Sequence, residues 1–140
     1  MKTDRPLILL VEDNPADANL VKEALAEARV ECLLSILRDG AQAIQFIERL
    51  DAGAAPQPDI VLLDLNLPKV EGAEVLKRLR ASPKCAGAKV LIVSSSDAPA
   101  DRDRAIELGA NGYFRKPESW EQFMELGPKI LTLLESHSGL

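Results

Sequence analysis

The 140-residue chain holds little of the chemistry on which many enzymes and nucleic-acid binders depend. It has one histidine, His137, near the C-terminus. A lone histidine there reads as a solvated tail residue, which argues against a histidine general base or a multi-histidine metal site. Its two cysteines, Cys32 and Cys85, lie far apart with no metal-ligand spacing around them. They read as reduced thiols of a cytoplasmic protein rather than a disulfide framework. Basic residues are in deficit, with 17 Lys and Arg against 22 Asp and Glu and a net charge of −5. That balance argues against nucleic acid or an anionic membrane surface as a partner. No apolar run approaches the ~20 residues that span a bilayer, and the start, MKTDRP, reaches only five apolar residues before Glu12-Asp13, too few for a secretory signal.

What is present is ordinary for one globular domain: 46% hydrophobic and 28% charged residues. A chain of this length buries roughly two thirds of its unfolded surface and needs no covalent staple. One domain over residues 1–140, with a core over about 6–136, is expected. The pattern along it is alternation. Leu7–Val11 and Ile60–Leu63 are short continuous apolar runs, the mark of strands covered on both faces. Val90–Val93 and Gly112–Arg115 read as two more strands, and the mixed run Val30–Leu37 as a less buried one. Between them apolar residues recur at helical spacing, with start signals at Asn14-Pro15 and Ser119, Asp97 as a plausible N-cap, and a stop at Gly109. Asp39-Gly40 reads as a turn and Asp51–Pro58 as the longest loop. Gly127-Pro128 falls inside the last helical segment and should kink it. Five strands alternating with five helices give a (βα)5 α/β fold, a doubly wound five-stranded parallel sheet with right-handed crossovers.

In such sheets ligands bind beyond the carboxyl ends of the strands. The residues at those ends are Glu12 and Asp13, Asp64, Ser94 and Lys116. Three carboxylates at one rim repel one another unless a cation sits among them. All-oxygen donors favour a hard cation, and two or three protein ligands plus water suit Mg2+. The trio, one Mg2+ and the Lys116 ammonium sum to zero charge. A metal, a lysine and a hydroxyl around an ionised carboxylate are the parts of a phosphoryl-transfer site, with Asp64 as the nucleophile.

Read together, ILLVEDNP at 8–15, DIVLLDLNLP at 59–68, EG at 71–72, VLIVSSS at 90–96 and ANGYFRKP at 110–117 resemble response-regulator receiver domains. The resemblance spans essentially the whole chain and implies the flavodoxin-like strand order 2-1-3-4-5. It implies that Glu12, Asp13 and Asp64, with the backbone carbonyl of Asn66, hold Mg2+. Asp64 is then the phosphoacceptor of a two-component system, charged by the phosphohistidine of a sensor histidine kinase. Ser94 is the switch hydroxyl, and Tyr113 the aromatic that swings inward when Ser94 moves. Lys116 pairs with the phosphoryl oxygens, with a Lys116–Pro117 bond that is commonly cis. Asn66 and Ser96 are the positions that tune phosphate lifetime. The Pro-containing loop before PDIVLLDLNLPK, followed by EGAEVLKRLR, is similar to single-domain regulators that partner phytochrome-type histidine kinases. Ser94 in place of the commoner threonine and Glu118 after Lys116-Pro117 depart from the family pattern.

The implied protein is a phosphoacceptor that assists its own phosphorylation and dephosphorylation, not an enzyme with a separate substrate. With nothing after Leu140, its state is expected to be read by a downstream target or passed to a phosphotransfer protein. The Trp120, Phe123 and Met124 face packs on the sheet or contributes to a homodimer. The alternatives are a phosphorylation-independent adaptor or a haloacid-dehalogenase-type phosphatase. The latter needs an acid two residues after its nucleophile, where this chain has Asn66. A flavodoxin is disfavoured because Glu12-Asp13 would repel the flavin phosphate.

Overall fold

The computed structural model describes the backbone of residues 5–138 and side chains to residue 135. His137 therefore lies outside the described side chains. The elements run β1 (Leu7–Val11), α1 (Pro15–Glu27), β2 (Leu33–Leu37), α2 (Gly40–Asp51), β3 (Ile60–Leu63), α3 (Gly72–Ala81), β4 (Lys89–Ser94), α4 (Pro99–Glu107), β5 (Gly112–Arg115), α5 (Trp120–Phe123) and α6 (Leu126–Ser138). All strand pairs are parallel and the order is β2-β1-β3-β4-β5.

The two-residue period of the strands splits the core into two layers. Leu9, Val11, Val61, Leu63, Val90 and Ile92 face α2 and α3. Ile8, Leu10, Ile60, Leu62, Leu91 and Val93 face α1 and α6. Every residue of β3 is fully buried, which is why its sequence carries no polar alternation. Burying one such Leu or Ile contributes about 1.5–3 kcal/mol, so the central strands are held by packing rather than by propensity.

Several boundaries differ from the sequence reading for local reasons. Val30 closes the end of α1, donating its N–H to Leu25 O at 2.9 Å after Arg29 turns left-handed at φ 56°, so β2 starts only at Leu33. Asp39 is more than a turn residue: its side chain accepts from Gln42 N–H and caps α2. That helix carries Asp51, shortening the loop that follows. The N-cap of α4 is Ala98 rather than Asp97, because Pro99 occupies the first helical position. The last helical segment is divided. The chain turns at Met124-Glu125, Gly127 N–H closes on Met124 O, and Pro128 falls in the first turn of α6, where a proline nitrogen needs no partner. Gly127 is also a point of close approach: a Cβ there would lie 2.5 Å from Ala24 O and 2.6 Å from Ala28 Cβ on α1.

At the N-terminal ends of β4 and β5, the Arg80 guanidinium donates to the carbonyls of Gly109, Ala86 and Ala88 and to Asn111 Oδ1. Asn111 Oδ1 also accepts from Val90 N–H at 2.7 Å. The loops before both strands are thus tied to α3, at the end of the sheet away from the acids.

Candidate functional site

At the opposite rim the ends of β1, β3 and β4 and the residue after β5 converge. Asn14 caps α1, accepting from the N–H groups of Ala16 and Asp17, and so turns the chain directly after Glu12-Asp13. Gly72 lets α3 begin hard against β3: a Cβ there would sit 2.3 Å from Asp64 O, and its N–H donates to Leu65 O.

Carboxylate oxygens of Glu12, Asp13 and Asp64 lie within 4.8 Å of one another. Glu12 and Asp64 are buried, at 1% and 6% exposure, and Asp13 is exposed. Lys116 Nζ stands 2.8 Å from Glu12 Oε1 and 3.2 Å from Asp64 Oδ2. It also reaches Asp17 Oδ2 at 2.8 Å, a partner that sequence reasoning missed. In the sequence Asp17 carries only the generic signal of a first-turn acid near a helix dipole. Its one further signal was that it lies one helical turn past Asp13, on the same rim.

The fourth carboxylate changes the charge count. Four acids against one ammonium carry a formal −3, and a divalent cation brings this to −1 rather than to zero. Burial and the neighbouring charges shift both members of the buried pair. Burial pushes the Glu12 carboxyl up to about 7, against the hydrogen bonds from Lys116 and Asn14 N–H that favour its charge. Burial also opposes the Lys116 charge, but hydrogen bonds to Asp17 and Glu12 and the nearby Asp64 carboxylate outweigh it and hold Lys116 above its ordinary value. One cation shared among several acids is strongly retained, yet does not neutralise all of them. The donor chemistry therefore fits a hard divalent cation: three carboxylates in reach of one point, no sulfur or imidazole, and negative charge left over.

The remaining expected residues are placed as follows. Asn66 is exposed, and its backbone N–H donates to Asp64 Oδ1 at 3.0 Å. Ser94 is fully buried, its Oγ accepting from Ser96 N–H at 3.2 Å and its carbonyl from Lys116 N–H at 2.7 Å. Tyr113 is turned inward, 6% exposed, with its hydroxyl donating to Ser96 O at 2.9 Å. The cis peptide expected before Pro117 is not found; no described residue has one. Cys32 and Cys85 are both free thiols, the latter buried. A cavity of about 560 Å³ adjoins the rim, with Asp13 and Asn66 in its wall and α4 on its far side. Among the described residues no helix is long and apolar enough to cross a membrane.

Comparison with known proteins agrees with this geometry. Residues 8–126 match the response regulator receiver domain family. The chain is 36% identical over 121 residues to Response regulator Rcp1 of Synechocystis sp., covering 86% of this chain and 82% of that one. Among solved structures it is similar to the phosphorylated cyanobacterial phytochrome response regulator RcpA, with a TM-score of 0.85 and 34% identity over 97% of this chain and 98% of that chain. It is also similar to the Mn2+-bound form of Rcp1, with a TM-score of 0.81 and 34% identity over 91% and 92% of the two chains. With the strand order, the acid rim and the family match in agreement, the chain belongs to the response regulator receiver domains of two-component signal transduction.

Proposed function

We propose that Asp64 is the phosphoacceptor of this receiver and that Glu12, Asp13 and Asp64, with the Asn66 carbonyl, hold Mg2+. The observation that carries the reading is the position of the Asp64 carboxylate: one oxygen lies 3.2 Å from Lys116 Nζ, and the group is within 4.8 Å of the Glu12 and Asp13 carboxylates. A bound divalent ion supplies charge neutralisation for the incoming phosphoryl oxygens. The chain's own groups do the rest. An Asp64 oxygen forms the new P–O bond as the P–N bond to a donor imidazole breaks, which needs no general base because the carboxylate is already ionised. Lys116, released from part of its carboxylate load, pairs with a phosphoryl oxygen. Ser94 offers its hydroxyl to another. Asn66 and Ser96, flanking these two groups, set how easily water reaches the acyl phosphate.

The donor in this reading is a sensor histidine kinase of phytochrome type, supported by the likeness to Rcp1 and RcpA. The receiver is a cytoplasmic signalling protein that assists its own phosphorylation and dephosphorylation, with Tyr113 and α4 presenting the result to a downstream protein or phosphotransfer partner. A haloacid-dehalogenase phosphatase fits less well, since the position two residues past Asp64 carries an amide whose backbone, not a carboxyl, touches the nucleophile.

Incubation with acetyl phosphate and Mg2+, followed by intact mass, tests the reading. Wild type gains one phosphoryl group; Asp64→Asn gains none. Equal gain in both, or none in wild type with either acetyl phosphate or a phosphorylated histidine kinase, overturns it.

A further inference from the structure

Helix α4 is poorly held by packing. Of its nine residues only Ala105 is buried, and its N-cap, Ala98, offers no capping side chain. The hydrogen bonds that tie its first turn to the loop after β4 pass through one residue, Ser96. The Ser96 hydroxyl accepts from Ala98 N–H at 3.3 Å and donates to Asp101 Oδ2 at 2.5 Å. The Ser96 N–H donates to Ser94 Oγ, and its carbonyl accepts the Tyr113 hydroxyl. Arg102, next along the helix, closes the arrangement with its guanidinium carbon 5.7 Å from the centre of the Tyr113 ring. Every polar group of Ser96 is thus committed, and each leads to a different part of the switch: Ser94, Tyr113 and α4.

We infer that Asp101 is a positioning residue of the phosphoryl switch: through the Ser96 hydroxyl it latches α4 to the loop after β4 and thereby holds Tyr113 in its inward position. The aspartate touches none of the reacting groups. Its carboxylate orients the Ser96 side chain, which fixes the peptide carbonyl that Tyr113 needs as acceptor. Without it, the Ser96 hydroxyl keeps only the weak bond from Ala98 N–H, the loop gains freedom, and the Tyr113 hydroxyl has a less firmly fixed acceptor. The hydrogen bond, rather than the charge alone, is the active element, and an amide oxygen at the same place still accepts from a hydroxyl, though more weakly than a carboxylate. This deepens the proposed function and rests on it for the link to phosphorylation, but the latch itself is a property of the folded chain.

The chain has one tyrosine, so a ring-labelled sample gives a single Tyr113 signal set by NMR. In the full-length protein without phosphoryl donor, Asp101→Ala is expected to move that signal toward the position of a solvated tyrosine. Asp101→Asn is expected to leave it at the wild-type position. Ser96→Ala moves it as Asp101→Ala does, and the double variant moves it no further. An unmoved signal in Asp101→Ala, equal displacement in Asp101→Asn, or an additive double variant overturns the latch. Acetyl phosphate and Mg2+ are then added, with intact mass read in parallel. Return of the Asp101→Ala signal on phosphoryl gain supports the link between latch and site; phosphoryl gain without return overturns that link. No gain in wild type, with phosphorylated kinase as donor too, overturns the phosphoacceptor reading alone, since the latch is decided by the first measurement.

Discussion

Replacing Lys116 by methionine removes the single cation from a group of acids of which two are buried. The lysine side chain is 8% exposed and its partners Glu12, Asp64 and Asp17 are 1%, 7% and 24% exposed. Removing one partner of a buried ion pair typically costs about 3–5 kcal/mol, because the other charge stays desolvated and unpaired. Here the lower end applies, since Asp17 and Asp13 reach solvent and retain water as a partner. About 3 kcal/mol is therefore expected, equivalent to a fall in Tm of about 10 °C for a domain of this size. The sign with added metal is opposite to that of an ordinary core defect. With the lysine gone, the formal charge of the rim deepens from −3 to −4, so a divalent ion binds the folded variant more strongly and stabilises it by mass action. Urea unfolding of wild type and Lys116→Met at pH 7.5, with chelator and with millimolar Mg2+, should show a wide gap that narrows in Mg2+. Equal midpoints in chelator, or a gap that Mg2+ leaves unchanged or widens, would refute the surplus-charge account.

Asp13→Asn acts in the other direction. It removes an exposed, repelling carboxylate, so the chelated protein should gain up to about 1 kcal/mol in urea, while its affinity for Mg2+ or Mn2+, read by calorimetric titration, falls at least tenfold. Asp51 lies outside the rim, held by the Ser82 hydroxyl and by Arg78 at 3.0 Å. The Ser82 bond and Arg78 set its carboxyl below the ordinary carboxylate range despite some desolvation. Its contribution is present above about pH 4 and lost as pH falls through the depressed value. Asp51→Asn should therefore flatten the acid side of the urea midpoint-versus-pH curve below pH 4; an unchanged slope there removes Asp51 from the account. Gly127→Ala should cost about 1–3 kcal/mol in urea, since its Cβ meets the α1 backbone at 2.5 Å and a backbone carbonyl yields little. A variant as stable as wild type would mean that α6 shifts freely.

The legibility of this protein followed its chemistry. Ile60–Leu63 and Leu7–Val11 were readable as strands because burial on both faces leaves no other pattern, and the acids that end them were then at one rim by topology alone. Boundaries went astray where a backbone bond decided them. Val30 looks like a strand residue by composition but is spent closing α1, and Asp97 looks like a cap until Pro99 places the first helical turn. Asp17 was invisible for a different reason. Its role depends on Lys116, 99 residues away, arriving within 2.8 Å, and no local pattern encodes that meeting. Ser96 was legible only through the resemblance, as a position that tunes phosphate lifetime, whereas in the fold its three polar groups each find a separate partner.

Arg80 gives the far end of α4 a different mechanical character from the near end. Two of its nitrogens grip Gly109 O, just past the helix, at 3.0 and 2.8 Å, while the near end is held by the Ser96 hydroxyl and the Arg102–Tyr113 contact. A rod clamped at one tip and clipped at the other behaves as a lever: it pivots about the clamp, and its largest travel occurs at the clip. Side chains on the first turn of α4 would then sweep farther than those on the last, so a protein that distinguishes the two positions gains most by gripping Pro99 to Arg102 and least by gripping Glu107.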